Sequence, residues 1–198
     1  MPMSGSHSRG YLTAGLRGNP MRLLPTTTEV IAPWTDFSKI PPDVLQRAAD
    51  RGTDVHAACT TFAKGLPVMG LPVELRGYFD SYRRWFEQIV QEVILVEERL
   101  FDEANGYCGQ IDLLVKTKQG EVVLVDLKTP IALSKSWKLQ IASYRHLLEM
   151  NGYHPDRCGS LRLSPDGKIP KMDFYEGSAA QDFNIFLHAL NCYRFFRG

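Results

Sequence analysis

This 198-residue chain has no run of apolar residues approaching the roughly 20 that a helix needs to cross a bilayer. Its N-terminus has no basic segment leading into an apolar stretch and a small-residue cleavage site, so secretion and membrane insertion are not expected. Cysteine is scarce: Cys59, Cys108, Cys158 and Cys192 stand far apart with no C-x-x-C pair. That signals neither a zinc site nor a disulfide framework, and free thiols in a reducing cytoplasm are the expectation. An excess of either charge is missing as well. Lys+Arg 23 against Asp+Glu 22 leave a net charge of +1, so no global basic field gathers a polyanion and any such ligand must be held locally. No internal repeat or low-complexity tract interrupts the chain.

What is present suits one globular domain. The apolar fraction is 44%, and the length allows a sizeable core. Met1 to Gly18, rich in Gly, Ser and Arg, has too few apolar residues to pack. Residues 1–25 are therefore expected to be a flexible N-terminal arm, followed by a single domain over 26–198.

After Pro41-Pro42, helical spacing of Val44, Ala48, Val55 and Cys59 predicts a helix from Asp43 to Lys64, stopped by Gly65 and Pro67. Leu75, Phe79, Tyr82, Phe86, Ile89 and Val93 predict a long amphipathic helix from Val73 to about Glu92. Ile94 to Phe101, Tyr107 to Lys116 and Glu121 to Leu127 read as a three-strand antiparallel meander, broken at Asn105-Gly106 and Lys118-Gln119-Gly120. Trp137, Ile141, Tyr144 and Leu148 place a helix over Ser134 to Met150. A hairpin about Pro165-Asp166-Gly167, joining Leu161–Leu163 to Met172–Tyr175, and a helix from about Ala179 to Phe196 complete the pattern.

Chemistry concentrates in the second and third strands. If Lys118-Gln119-Gly120 is a three-residue loop with Gly120 in the left-handed conformation, Thr117 pairs with Glu121, and counting outward sets Asp112 opposite Asp126 with Lys128 on the same face. The other face then carries Ile111, Leu113, Val115, Val123, Val125 and Leu127, a wholly apolar set. A one-residue slip would turn Asp112 into that set, and burying a carboxylate without a partner costs several kcal/mol. Two carboxylates about 5 Å apart repel each other unless a cation lies between them. Mg²⁺ or Mn²⁺ is the natural choice, able to activate water and polarise a phosphoryl oxygen, with Lys128 as a compact charge beside it. The bland alternative is a surface hairpin with two acids and a lysine.

Gly109-x-x-Asp112 followed by Asp126-x-Lys128 resembles the signature of the PD-(D/E)XK nucleases, whose restriction-endonuclease-like α/β (α+β) core runs helix, three antiparallel strands, helix, strand. Here that core would carry an extra N-terminal helix and a C-terminal hairpin and helix. Gly52-x-x-Val55-His56 and Gln140-x-x-x-Tyr144 resemble motifs of the RecB-like branch, which includes phage-type exonucleases. The resemblance implies that His56, Asp112, Asp126 and the carbonyl of Leu127 bind metal, that Lys128 is catalytic, and that Gln140 and Tyr144 line the DNA path. A glutamate ahead of the G-x-x-D strand is matched by Glu97, with Glu98 as the alternative. Lys135 and Lys138 would track the DNA backbone.

Each assignment has a plainer rival. A lone helical histidine is usually packed rather than ligating, Tyr144 could simply pack with Trp137 and Leu148, and charge on a helix is more often a solvated face. Some members of the branch hold an iron-sulfur cluster through one early and three late clustered cysteines; Cys158 and Cys192 do not cluster, so none is expected. The function implied is a metal-dependent deoxyribonuclease, an exonuclease of phage or bacterial recombination or repair in the cytoplasm of a bacterial host. DNA is its partner, and there is room for a phage or host recombination protein and for self-assembly. The alternatives are a structure-selective endonuclease on the same fold and a non-catalytic DNA-binding protein that retains it.

Overall fold

The computed structural model describes residues 11–12, 23–38, 40–130 and 133–197. The expected arm over 1–25 therefore lies outside the described residues except for 11–12 and 23–25. There, β1 (Tyr11–Leu12) pairs antiparallel with β2 (Leu23–Leu24), and Pro25 O accepts the Cys108 N–H.

Thr26 opens α1 (Thr27–Ile31) with a capping box: its hydroxyl accepts Glu29 N–H while its own N–H donates to the Glu29 carboxylate at 2.8 Å. This short helix was not foreseen in the sequence, although Thr26-x-x-Glu29 is its signal. Pro42 at the first turn starts α2 (Pro42–Ala63), which buries Val55, Ala58 and Cys59. The next helix, α3 (Arg76–Ile89), buries Tyr82 and Trp85 and runs without a loop into β3 (Val90–Asp102). The helix thus ends before Glu92, and the strand starts ahead of Ile94. Val93 fits both periods, and pairing of Val90 with Thr117 decides for the strand.

A five-stranded sheet follows in the order β3-β4-β5-β6-β7. The meander is as expected: β3, β4 (Tyr107–Thr117) and β5 (Val122–Lys128) are antiparallel. Helix α4 (Ser136–Met150) then crosses over, and β6 (Arg157–Arg162) lies parallel to β5. The fold is α+β, with the helix, three antiparallel strands, helix and strand in the order the sequence implied. β6 begins at Arg157, ahead of the expected Leu161, because Arg-Cys-Gly-Ser shows no strand alternation. Gly159 has the reason for its size in its partner: a Cβ there would lie 2.4 Å from Asp173 O of β7 (Lys171–Phe174). The chain ends in α5 (Ala179–Arg197).

Helices cover both faces of the sheet. Leu113, Val115, Val123, Val125 and Leu127 pack with Val55 and Cys59 of α2 and Tyr82 and Trp85 of α3. Leu114 and Leu124, from alternate positions, pack with Ile31 of α1, Ile141 and Leu147 of α4 and Phe186 of α5. Ile111 departs from the expected face and joins this second group. The alternation breaks beside it: the β3–β4 ladder pairs Val96 with Leu113 and Glu98 with Ile111 but skips Glu97 and Asp112, and Glu97 has a left-handed φ of 52°.

The β4–β5 turn closes as the sequence predicts. Thr117 N–H donates to Glu121 O at 2.8 Å, Gly120 N–H donates to Thr117 O at 2.9 Å, and Gly120 has φ 92°. Val115 pairs with Val123 and Leu113 with Val125, where the ladder ends one step short of the expected Asp112–Asp126 pair; Asp112 instead accepts the Leu127 N–H. Two left-handed positions give opposite expectations in urea denaturation. Gly120→Ala lowers stability by about 1 kcal/mol, a purely conformational cost because nothing lies within 4 Å of the added Cβ. Glu97→Gly raises it by up to about 1 kcal/mol, since the ion pair lost there is largely exposed.

Candidate active site

Asp112, Asp126 and Lys128 open into one cleft of about 530 Å³, with His56, Gln140 and Tyr144 also in its wall. Each comes from an element fixed by core packing. Asp112 leaves β4 where the alternation breaks. Asp126 and Lys128 alternate with buried Val125 and Leu127 on β5. His56 follows Val55, which anchors α2 on the sheet. Gln140 and Tyr144 lie one turn apart on α4.

Asp126 is the most enclosed charge, with 2% of its side chain exposed. Both of its oxygens accept from Lys128 Nζ, at 3.1 and 2.8 Å, and Ser160 Oγ of the parallel strand donates to Oδ2 at 3.2 Å. Lys128 Nζ also donates to Gln140 Oε1 at 2.9 Å and stands 5.8 Å from the centre of the Trp137 ring. Asp112 Oδ2 accepts the Leu127 N–H at 2.8 Å and faces His56 Nδ1 at 3.6 Å. Burial pushes the Asp112 carboxyl above its ordinary value, with Asp126 adding to the rise, while His56, Lys128 and the Leu127 N–H act against it.

Two carboxylates, one imidazole and a backbone carbonyl are the donors on offer. Leu127 N–H faces Asp112, and the carbonyl of the same strand residue faces the same edge. Among the described residues, no three His, Cys, Asp or Glu side chains converge into a closed cage. An open, mainly oxygen set is compatible with Mg²⁺ or Mn²⁺, since Mg²⁺ in particular keeps several waters when bound.

Other expected residues stand apart. Glu97 Oε2 pairs with Lys64 Nζ at 2.8 Å and does not line the cleft, and exposed Glu98 does not line it either. Lys135 and Lys138 are exposed at the start of α4, outside the cleft wall. Conversely, Arg99 and Gln110 line the cleft, joined at 2.7 Å as a cross-strand pair, as do Thr26 to Glu29 of the capping box.

The raised Asp112 value carries a sign. Protonated Asp112 favours the folded state, so its contribution to stability is greatest below the unfolded carboxyl range of about 4 and declines as pH rises toward the folded value. In chelator at neutral pH, Asp112→Asn is expected to melt a few degrees above wild type, and the difference should close as pH falls below about 4. Scanning calorimetry across pH reads it; a less stable Asn variant at neutral pH would contradict it. Crowding gives a second expectation. A Cβ on Gly109 would lie 2.7 Å from Tyr144 Cε1 and 2.8 Å from Leu147 Cδ1, so Gly109→Ala should destabilise by about 1–3 kcal/mol in urea denaturation.

No protein-family model matches the chain, and no curated protein does. Solved structures match it in part. One is the crystal structure of a protein from Eubacterium rectale called a "Putative exonuclease". The similarity covers 74% of this chain and 66% of that one, at 11% identity and a TM-score of 0.47. This chain thus spans just under two thirds of that protein's length, and the cleft itself has to carry any functional conclusion.

Proposed function

We propose that this chain is a metal-dependent deoxyribonuclease of the PD-(D/E)XK type, in the RecB-like branch, acting as an exonuclease in phage or bacterial recombination or repair. The observation that supports it most is the meeting of Asp112 and Asp126, from adjacent antiparallel strands, in one cleft with Lys128. A structural ion pair needs one carboxylate per lysine. Here a second carboxylate stands in the same cleft, and burial raises its pKa, with Asp126 adding to the rise.

Asp112, Asp126, His56 and the Leu127 carbonyl would hold Mg²⁺ or Mn²⁺. A bound ion of this kind lowers the pKa of water and polarises a phosphoryl oxygen. Lys128 then holds the attacking water or offsets charge gathering on the phosphate, as a positioned ammonium does in a low-dielectric site. Arg99 and Gln110 extend the cleft wall beyond Asp112 and suit a neighbouring phosphate. Lys135 and Lys138 offer solvated positive charge for the strand as it leaves, in keeping with a protein that has no global basic field. No helix among the described residues is long and apolar enough to cross a membrane.

End-labelled linear DNA and closed circular DNA, incubated with the full chain in Mn²⁺, test the proposal. Linear DNA should be degraded and circles spared; cutting of circles would assign an endonuclease instead. Chelator should abolish hydrolysis, and Mn²⁺ should support at least the rate seen with Mg²⁺ because imidazole is a softer ligand than Mg²⁺ prefers. Lys128→Gln, which keeps a donor toward Asp126, should lose about 10²–10³-fold in kcat. Undiminished activity in chelator or in that variant would reject the proposal.

A further inference from the structure

We infer that Gln140 and Tyr144 are positioning residues for Lys128 rather than contacts for DNA, an inference that builds on Lys128 as the catalytic amine of the proposed nuclease. Both side chains face the cleft wall, yet Gln140 is 6% exposed and Tyr144 4%. Neither presents enough surface to follow a nucleic-acid strand. Their polar atoms are turned to one another and to the lysine.

The amide of Gln140 has one donor end and one acceptor end, and its surroundings select the orientation. Nε2 donates to Tyr144 OH at 3.1 Å, and Oε1 accepts from Lys128 Nζ at 2.9 Å. A flipped amide would set its NH₂ against an ammonium, donor against donor. Tyr144 is fixed in turn by close packing: Gly109 lies so near its ring that even a methyl group would not fit. Order therefore passes from Gly109 to the Tyr144 ring, to the Gln140 amide, and to the tip of a side chain that would otherwise be flexible.

The chemistry of the holder matters. Asp126 already takes two contacts from Nζ as its counter-charge. A second carboxylate in place of Gln140 would add charge beside Asp112 and Asp126. A neutral carbonyl oxygen aims the ammonium without adding a third carboxylate. Misplacing a reacting group by about 1 Å can cost a hundredfold in rate, so a hold of this kind acts on kcat.

Gln140→Leu and Tyr144→Phe in the full chain test this against the DNA-contact alternative. For Gln140→Leu, kcat for DNA hydrolysis should fall about 10–100-fold, with KM, and the Kd for DNA measured in Ca²⁺, staying within about twofold of wild type. Tyr144→Phe should fall less, in the same direction. Gln140→Glu restores an acceptor but adds the charge that the amide avoids, so it should recover only part of the loss. In a Lys128→Gln background, Gln140→Leu should add little, because the two act as one unit. Raised KM and Kd with kcat retained, or full additivity with Lys128→Gln, would overturn the inference.

A readout without catalysis separates this inference from the nuclease proposal. Acetylation of Lys128 by acetic anhydride, followed by peptide mass spectrometry, should be faster in Gln140→Leu than in wild type at equal melting temperature. Unchanged labelling overturns the clamp even if the chain is a nuclease. Faster labelling supports it even if wild type leaves DNA intact, in which case only the nuclease proposal fails.

Discussion

The hairpin register between β4 and β5 is the constraint on which the rest depends. Side chains alternate across a strand, so one residue of slip would exchange the apolar and polar sets of both strands. Gly120, with a positive φ, lets Lys118-Gln119-Gly120 close as an odd-length loop, with Thr117 bonded to Glu121. Packing enforces the same register, because Leu113, Val115, Val123, Val125 and Leu127 fill the layer under α2 and α3. Turn chemistry and core packing agree as far as Leu113 and Val125, where the ladder ends; beyond it Asp126 and Lys128 keep the alternation of β5, and Asp112 turns to the Leu127 N–H.

That opposite face is not simply solvent. Leu114 and Leu124 are buried under α1, α4 and α5, so polar side chains at its far end lie in a cleft whose walls come from both helical layers. Enclosure makes each charge there costly and each pairing specific. Asp126 is satisfied by Lys128 and Ser160, Lys128 by Asp126 and Gln140, and Gln140 by Tyr144. Asp112 is the member with the least compensation: a backbone N–H at 2.8 Å and an imidazole at 3.6 Å. In the proposed nuclease, a bound cation would offset that charge.

Much of this was legible in the sequence because it depends on local rules. The amphipathic period of Leu75 to Phe86 gave the third helix, the turn residues gave the meander, and parity counting placed Asp112, Asp126 and Lys128 together. Other features were hidden for particular reasons. Arg157 to Ser160 has no alternating pattern, since as an inner strand its environment is set by neighbours on both sides. Ile111 changed faces because the β3–β4 ladder is interrupted at Glu97 and Asp112. Helix α1, five residues long, falls below the length at which periodicity speaks. Arg99 and Gln110 carry no such signal, because a polar residue on a half-buried strand looks the same in sequence whether it faces water or a cleft.

The sequence by itself determined the order of the main elements, the loop that fixes strand register and, where alternation is unbroken, the residues sharing a face. Those follow from backbone geometry and from the periods of helix and strand, which act over a few residues. Only the tertiary structure decided what each shared face meets. Packing of α2 brought His56 to Asp112, packing of α4 turned Gln140 and Tyr144 inward onto Lys128, and a salt bridge to Lys64 drew Glu97 away. Contacts of that kind join residues far apart in the chain, and the three-dimensional packing of helices on the sheet selects them.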